Sequence, residues 1–252
     1  MTDTVSSNRS TSRGFDLKRA LATLLRPAQV FEQVREENRA SWLTPMLMLS
    51  LTALLVVLVS GYLKTQAAML GEVPLPPDWQ WWTPDMQANY MQAQQLTQGK
   101  VFMYVIPLVG AWVALWLGWV VLGGLLHLGS TLLGGRGTMQ GALTVTAWAT
   151  LPFAMRDLLR VIFMLGAGHA INSPGLSAFA TSSFMVQILS RTDLFFFWSL
   201  VLLVIGFAVV DGLPRGKAFV GVALVVLLLL AAQAGIGSAL SGLGSGSAIR
   251  PF

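Results

Sequence analysis

The residues whose types and spacing invite chemistry are few, and most of them lie inside one apolar stretch. From Gly141 to Gly168 the chain reads GALTVTAWATLPFAMRDLLRVIFMLGAG, with Arg156, Asp157 and Arg160 in its interior and Pro152 ahead of them. Arg156 and Arg160 are four apart, so on a helix they share a face, and Asp157 stands three before Arg160. Two guanidinium groups and a carboxylate so placed can line a polar cleft for an anionic ligand, an ion or a lipid headgroup. They can equally fix helix register or hold a broken helix. The structural reading is favoured, because no matching acid stands inside another apolar segment: Asp193 and Asp211 fall at segment ends. Pro152 predicts a kink that frees the carbonyl of Trp148, one turn back, for an arginine or water to satisfy.

Other chemistry is absent from the pattern. There is no Gly-rich phosphate loop with its lysine, no nucleophile elbow and no metal-binding histidine pair. His127 and His169 are the only histidines, and there is no cysteine. The expectation is a protein that is not an enzyme, with no cofactor and no metal. The net charge of +5 comes from basic residues that flank apolar segments, so no nucleic-acid partner is expected. Trp79, Trp81 and Trp82 could stack on a ligand, but such a cluster is more often an interfacial anchor.

These residues must be positioned by helices in a bilayer. Only 11% of the 252 residues are charged, against roughly 25% in a soluble domain. Mean hydropathy is +0.66, and several apolar runs approach or exceed the roughly 18 residues of a spanning helix. The fold class expected is all-α: a polytopic membrane protein with about five transmembrane helices plus N-terminal amphipathic helices. The spans are read at 45–63, 101–128, 141–168, 194–210 and 218–234. A disordered tail (1–14) precedes two amphipathic helices (15–40). A transmembrane domain (41–235) and a flexible Gly/Ser-rich tail (236–252) follow. The amphipathic helices can lie among lipid headgroups or pack on the ends of the bundle, and composition leaves both open.

Local signals sharpen the elements. Thr83-Pro84-Asp85 is a helix start, with a capping hydroxyl, an early proline and an acid in the first turn. A Gln-rich helix to about Gly99 should follow. Pro107 predicts a kink in the second span. Gly110, Ala114 and Gly118 make a small-residue stripe on which another helix could approach closely. Thr138 caps the third span, and 170–192 reads as a loop.

Charge sets the expected orientation. Cytoplasmic loops are enriched in Lys and Arg. Arg9, Arg13, Lys18, Arg19, Arg26, Arg35 and Arg39 precede the first span, and alternation adds Arg136, Arg215 and Lys217 to that side. Lys64, Lys100, Arg191 and Arg250 face them, ten against four. This puts the N-terminus in the cytoplasm and the C-terminus outside, in a bacterial cytoplasmic (inner) membrane. A re-entrant third segment, turning at Pro152, gives four spans and the same count. Five crossings are preferred because Arg215 and Lys217 share one tight turn, where the bias acts most strongly.

Three local features resemble the Yip domain family of five-span membrane proteins, in its bacterial branch. They are Arg26-Pro-Ala-Gln-Val-Phe31 with Trp42-Leu-Thr-Pro45, the Gly137-Thr-Met-Gln-Gly-Ala142 run leading to Leu151-Pro152, and the span count with a cytoplasmic N-terminus. The likeness covers roughly Leu21 to Ala234. Eukaryotic members act in vesicle traffic and bind small GTPases, but their Asp-Leu-Tyr-Gly-Pro signature is missing here, so GTPase binding is not carried over. Some bacterial members are associated with ABC-type export systems. The resemblance therefore implies a non-enzymatic membrane adaptor or scaffold. Its partners would be the lipid bilayer and another membrane protein, such as an ABC-type exporter, or a second copy of itself. The Gly110/Ala114/Gly118 stripe and the basic N-terminal helices would carry the contacts. The alternative is a small transporter or lipid-binding protein that uses the Arg156/Asp157/Arg160 cleft.

Overall fold

A computed structural model describes residues 16–37, 41–71, 75–76, 78–171, 175–180 and 182–246, with side chains to residue 239. The expected N-terminal tail, Phe15, Arg39 and the last residues of the C-terminal tail lie outside these. The described residues form ten α-helices and no strand. They are α1 (Leu17–Leu25), α2 (Pro27–Glu37), α3 (Leu43–Met69), α4 (Pro84–Thr97), α5 (Ile106–Leu132), α6 (Met139–Ala149), α7 (Leu151–Ala167), α8 (Ser183–Leu189), α9 (Leu194–Val210) and α10 (Arg215–Gly246).

Three helical stretches are long and apolar enough to cross a bilayer: Leu43–Met69, Val101–Leu132 and Arg215–Ala239. A fourth crossing arises if α8 and α9, bent by 62°, form one span. By length and apolarity the structure thus carries three, or four, of the five expected crossings. The difference lies in two segments. The third breaks into α6 and α7, and α7 alone holds three charges. The fourth, α9, has 17 residues, short of the roughly 20 that span a bilayer without help. Two boundaries also move. α10 runs on through the Gly/Ser-rich segment to Gly246, and the expected loop 170–192 contains α8, whose N-terminus Ser182 caps by accepting from the Met185 N–H at 3.3 Å.

The caps read from sequence are in place. Thr83 Oγ1 accepts from the Met86 N–H at 3.4 Å, and Thr138 Oγ1 from the Gly141 N–H at 3.1 Å. Ahead of Pro107 the helix widens into a π-helical stretch, Val101–Val105, where the Ile106 N–H reaches the Val101 carbonyl. Tyr104 in this stretch packs on Gly61 of α3. A Cβ on Gly61 would lie 2.6 Å from the Tyr104 ring, so only glycine lets the two helices meet there.

α3 packs on α7 and on α5; α6 packs on α5 and α9; α10 packs on α5, α8 and α9. Trp148, Phe31, Phe207, Leu151, Leu202 and Val145 are fully buried at the centre. Phe31 belongs to α2, so this helix is part of the bundle. Its ring lies over Gly206 of α9, where a Cβ would stand 3.2 Å from Phe31 Cζ. α1 is held by Arg19, which pairs with Glu37 at 2.9 Å and lies 5.3 Å above the Trp148 ring. Yet Leu17, Leu21 and Leu25 of α1 point outward, 58%, 60% and 70% exposed. The two readings of the N-terminal segment therefore divide: α2 is a packed helix, and α1 keeps an outward apolar row.

The tryptophan loop settles into its own small core. Trp79, Trp82 and Tyr90 contact one another with ring centroids 5.5 to 5.8 Å apart. Rings this close pack on each other and leave no slot between them. Trp81 alone projects, 80% exposed. Trp79→Ala should loosen the segment between α3 and α4, read as faster limited proteolysis there. Trp81→Ala should leave that rate unchanged.

The turn between α9 and α10 buries Asp211. Its carboxylate accepts a hydrogen bond from Ser130 Oγ of α5, and its backbone carbonyl accepts from the Arg136 N–H at 3.0 Å. Its Oδ1 has no partner among the described residues. Burial pushes the Asp211 carboxyl above its ordinary value of 3.8, while the Ser130 hydroxyl and the neighbouring His127 pull it down. A raised carboxyl means that the folded state holds its proton more tightly than the unfolded chain does. Stability from this group is then fullest below 3.8 and falls as pH rises through the higher folded value. Asp211→Asn should remove that fall and raise the melting point at neutral pH, measured in detergent over a pH series.

Candidate functional site

The site is built where α6 ends and α7 begins. Pro152 sits in the first turn of α7, and the break falls at Thr150, just ahead of it. A proline in mid-helix removes one N–H and crowds the preceding turn, so the helix restarts rather than continues. Several carbonyls around the break find partners inside the bundle. The Thr150 N–H donates to Thr146 O at 3.2 Å and turns toward Trp148 O, which no arginine meets among the described residues. Thr150 Oγ1 donates to Thr146 O and Ala147 O, both at 3.0 Å. Ser199 Oγ of α9 donates to Ala149 O at 2.8 Å. The break is thus sealed from within the bundle, as a low-dielectric setting requires.

α7 then presents Arg156, Asp157 and Arg160 together. Asp157 Oδ1 accepts from Arg156 Nε at 3.2 Å and lies 3.8 Å from Arg160 Nη1. The fourth member is Asp193, at the N-terminal end of α9. Asp193 Oδ1 caps α9, accepting from the Phe196 N–H at 2.9 Å. Its other oxygen faces Arg156 Nη1 at 3.7 Å and Arg160 Nη2 at 3.9 Å. One carboxylate thus caps α9 with one oxygen and ties down α7 with the other. The signal was legible in part: an aspartate directly before an apolar run is an N-cap, and capping uses only one of its oxygens. The four side chains are 13 to 23% exposed, and the Arg156 guanidinium lies 4.7 Å above the Phe153 ring. Two arginines and two aspartates balance in charge, so the cluster is first of all a clamp between α7 and α9.

The clamp also forms one end of a cavity of about 350 Å³. Its walls come from α3, α5, α9 and α10 and are mostly apolar: Met46, Leu49, Leu122, Trp119, Leu203 and Leu230 among them. Arg156, Asp157, Arg191 and Gln233 supply polar groups. Trp119 is fixed by its Nε1–H, which donates to Leu143 O at 2.8 Å.

The small-residue stripe makes no close helix contact within the described residues. Ala114 and Gly118 border this cavity, and all three stripe residues are exposed. A Cβ on Gly110 or Gly118 would meet nothing within 4 Å, so no helix packs there among the described residues. The close approaches fall at other glycines. A Cβ on Gly123 would come 2.8 Å from Leu143, and one on Gly221 would come 2.9 Å from Leu133. Neither lies in a four-residue small-residue row with the stripe, so spacing did not reveal them.

Among the described residues no three His, Cys, Asp or Glu side chains gather as a metal site. The cluster offers charge, hydrogen-bond donors and an apolar wall. These are the means to hold a molecule. No curated protein and no solved structure matches the chain. The Yip1 domain model matches residues 21–236, over the broken third segment, the clamp and the cavity, and the chain belongs to the Yip1 domain family of membrane proteins.

Proposed function

We propose that the protein is a non-enzymatic integral membrane protein that holds an amphiphilic molecule of the bilayer in its central cavity. The observation that carries this reading is the make-up of that cavity: apolar walls that meet a few polar groups, Arg156, Asp157, Arg191 and Gln233. Pockets of roughly 300–1,000 Å³ with a small number of polar groups are the usual form of a ligand site. An acyl chain suits the walls, and a headgroup suits the polar groups. Purification in mild detergent, followed by mass spectrometry of extracted lipid, tests the reading. A lipid should be retained by the wild type and lost from Ala53→Phe, which fills the cavity from α3. A wild type free of lipid defeats it.

A second reading keeps the adaptor role. Here the exposed row Gly110, Ala114 and Gly118 takes a helix of a partner membrane protein, such as an ABC-type exporter, or of a second copy. The open space over Gly110 and Gly118 supports it. Gly110→Leu should then abolish co-purification of the partner and leave lipid retention intact. In either reading the chain sits in a bacterial cytoplasmic membrane with its N-terminus inside and its C-terminus outside, α6–α7 and α9 completing five crossings. The Lys/Arg distribution supports that layout. Because the chain has no cysteine, single cysteines introduced near each end report their sides directly. Labelling of both from one side sinks it.

A further inference from the structure

Among the charged groups around the cavity, one has no counter-charge. Arg156 and Arg160 each face Asp157 and Asp193. Arg191, at the start of the connection into α9, is exposed and stands at the border of the cavity. Its backbone N–H donates to Ile188 O at 3.1 Å, but its guanidinium has no ion pair and no hydrogen bond among the described residues. Among the described residues Asp157 is the only acidic side chain on the cavity wall, and it is already shared by two arginines. The polar groups around the cavity therefore hold three arginines against two aspartates. Gln233, reaching in from α10, adds a neutral amide.

We infer that the occupant is a lipid with an anionic headgroup, and that Arg191 is the residue that selects it. The inference rests on the amphiphile reading above and gives it a chemical class. A guanidinium stays charged and offers five donors in a plane, matched to the paired oxygens of a phosphate or carboxylate. A zwitterionic headgroup would bring its own cation toward Arg156 and Arg191 and gain less. The apolar walls argue for a lipid over a free anion, since a small anion would leave them empty.

The route in follows from the same geometry. Ala114 and Gly118 are both exposed and border the cavity, so the cavity opens sideways along α5. α5 and α10 close together farther along, where Gly221 meets Leu133 and Gly129 meets Val225. The space left above the small residues is a mouth through which a lipid chain can enter from the bilayer.

The test uses the full chain, reconstituted with brominated phosphatidylglycerol or brominated phosphatidylcholine, and reads quenching of tryptophan fluorescence. Trp119 lines the cavity and Trp116 meets it edge-on, so a bromolipid inside must quench them, and the part of the quenching lost in Ala53→Phe separates this from quenching of the outward-facing Trp112. The wild type should favour phosphatidylglycerol about tenfold, roughly the effect of one charge-assisted contact. Arg191→Gln should bring the two lipids to parity with its melting point unchanged, and Arg191→Lys should restore part of the preference. Gly118→Leu should slow quenching by both. Undiminished selectivity in Arg191→Gln overturns the inference, as does full displacement of the bromolipid by inorganic phosphate. Equal quenching of the wild type by both lipids overturns it too, but leaves the amphiphile reading standing. Quenching by both lipids that is the same in Ala53→Phe as in the wild type overturns both.

Discussion

Asp193→Asn should lower stability by about 3 kcal/mol, the low end of the roughly 3–5 kcal/mol that follows removal of one partner from a buried ion pair. The asparagine keeps a side-chain oxygen to cap α9, so the loss isolates the charge. What remains is two guanidinium groups with a single carboxylate, Asp157, between them. The low end applies because the Asp193 contacts are 3.7 and 3.9 Å and the side chains retain some exposure. Asp193→Ala should lose about 1 kcal/mol more, because the hydrogen bond to the Phe196 N–H goes as well. The double variant Asp193→Asn/Arg160→Gln should recover much of the first loss, since one arginine can then pair with Asp157 alone. Thermal or denaturant unfolding in one detergent compares the three. If Asp193→Asn matches the wild type, the clamp does not hold α7 to α9.

Gly206→Leu should cost as much or more. A Cβ at this position already meets Val145 and stands 3.2 Å from the Phe31 ring, and all three helices are fully packed there. Overpacking of a filled core costs about 1–3 kcal/mol, and more when the backbone cannot move. Here the cheapest relief is to unseat α2, because α6 and α9 are held together by the Ser199–Ala149 bond at 2.8 Å. The expected result is a lower melting point together with protease access to α2. Phe31→Leu and Val145→Ala placed together on Gly206→Leu should restore resistance by giving back the volume that the new side chain takes. If Gly206→Leu leaves α2 protected, the N-terminal helices are held by something other than this contact.

These two expectations share a feature: each depends on a pair of residues far apart in the chain. That is also the dividing line between what could be read early and what could not. Apolar length, charge scarcity and cap chemistry are local, so the helical class and the Thr83 and Thr138 caps were legible in the residues themselves, while Pro152 announced a kink and only the structure made it a full break. Local too were the three polar groups on one face of α7, since their spacing alone aligns them.

Neighbours were not legible. α5, α9 and α10 are apolar nearly all round, and such a helix carries no stripe to say which side meets which partner. Hence the stripe at Gly110, Ala114 and Gly118 suggested a helix contact, while packing placed the close approaches at Gly61, Gly123 and Gly206. Asp193 looked like a helix end because its second oxygen finds the arginines only when α9 lies against α7. The cavity belongs to no single segment: it exists because five helices, each regular by itself, leave a space that none of their side chains fills. Composition and spacing decided that this chain would form membrane helices. Only their assembly decided which charges pair with one another and left Arg191, among the described charges that line the cavity, without a counter-charge.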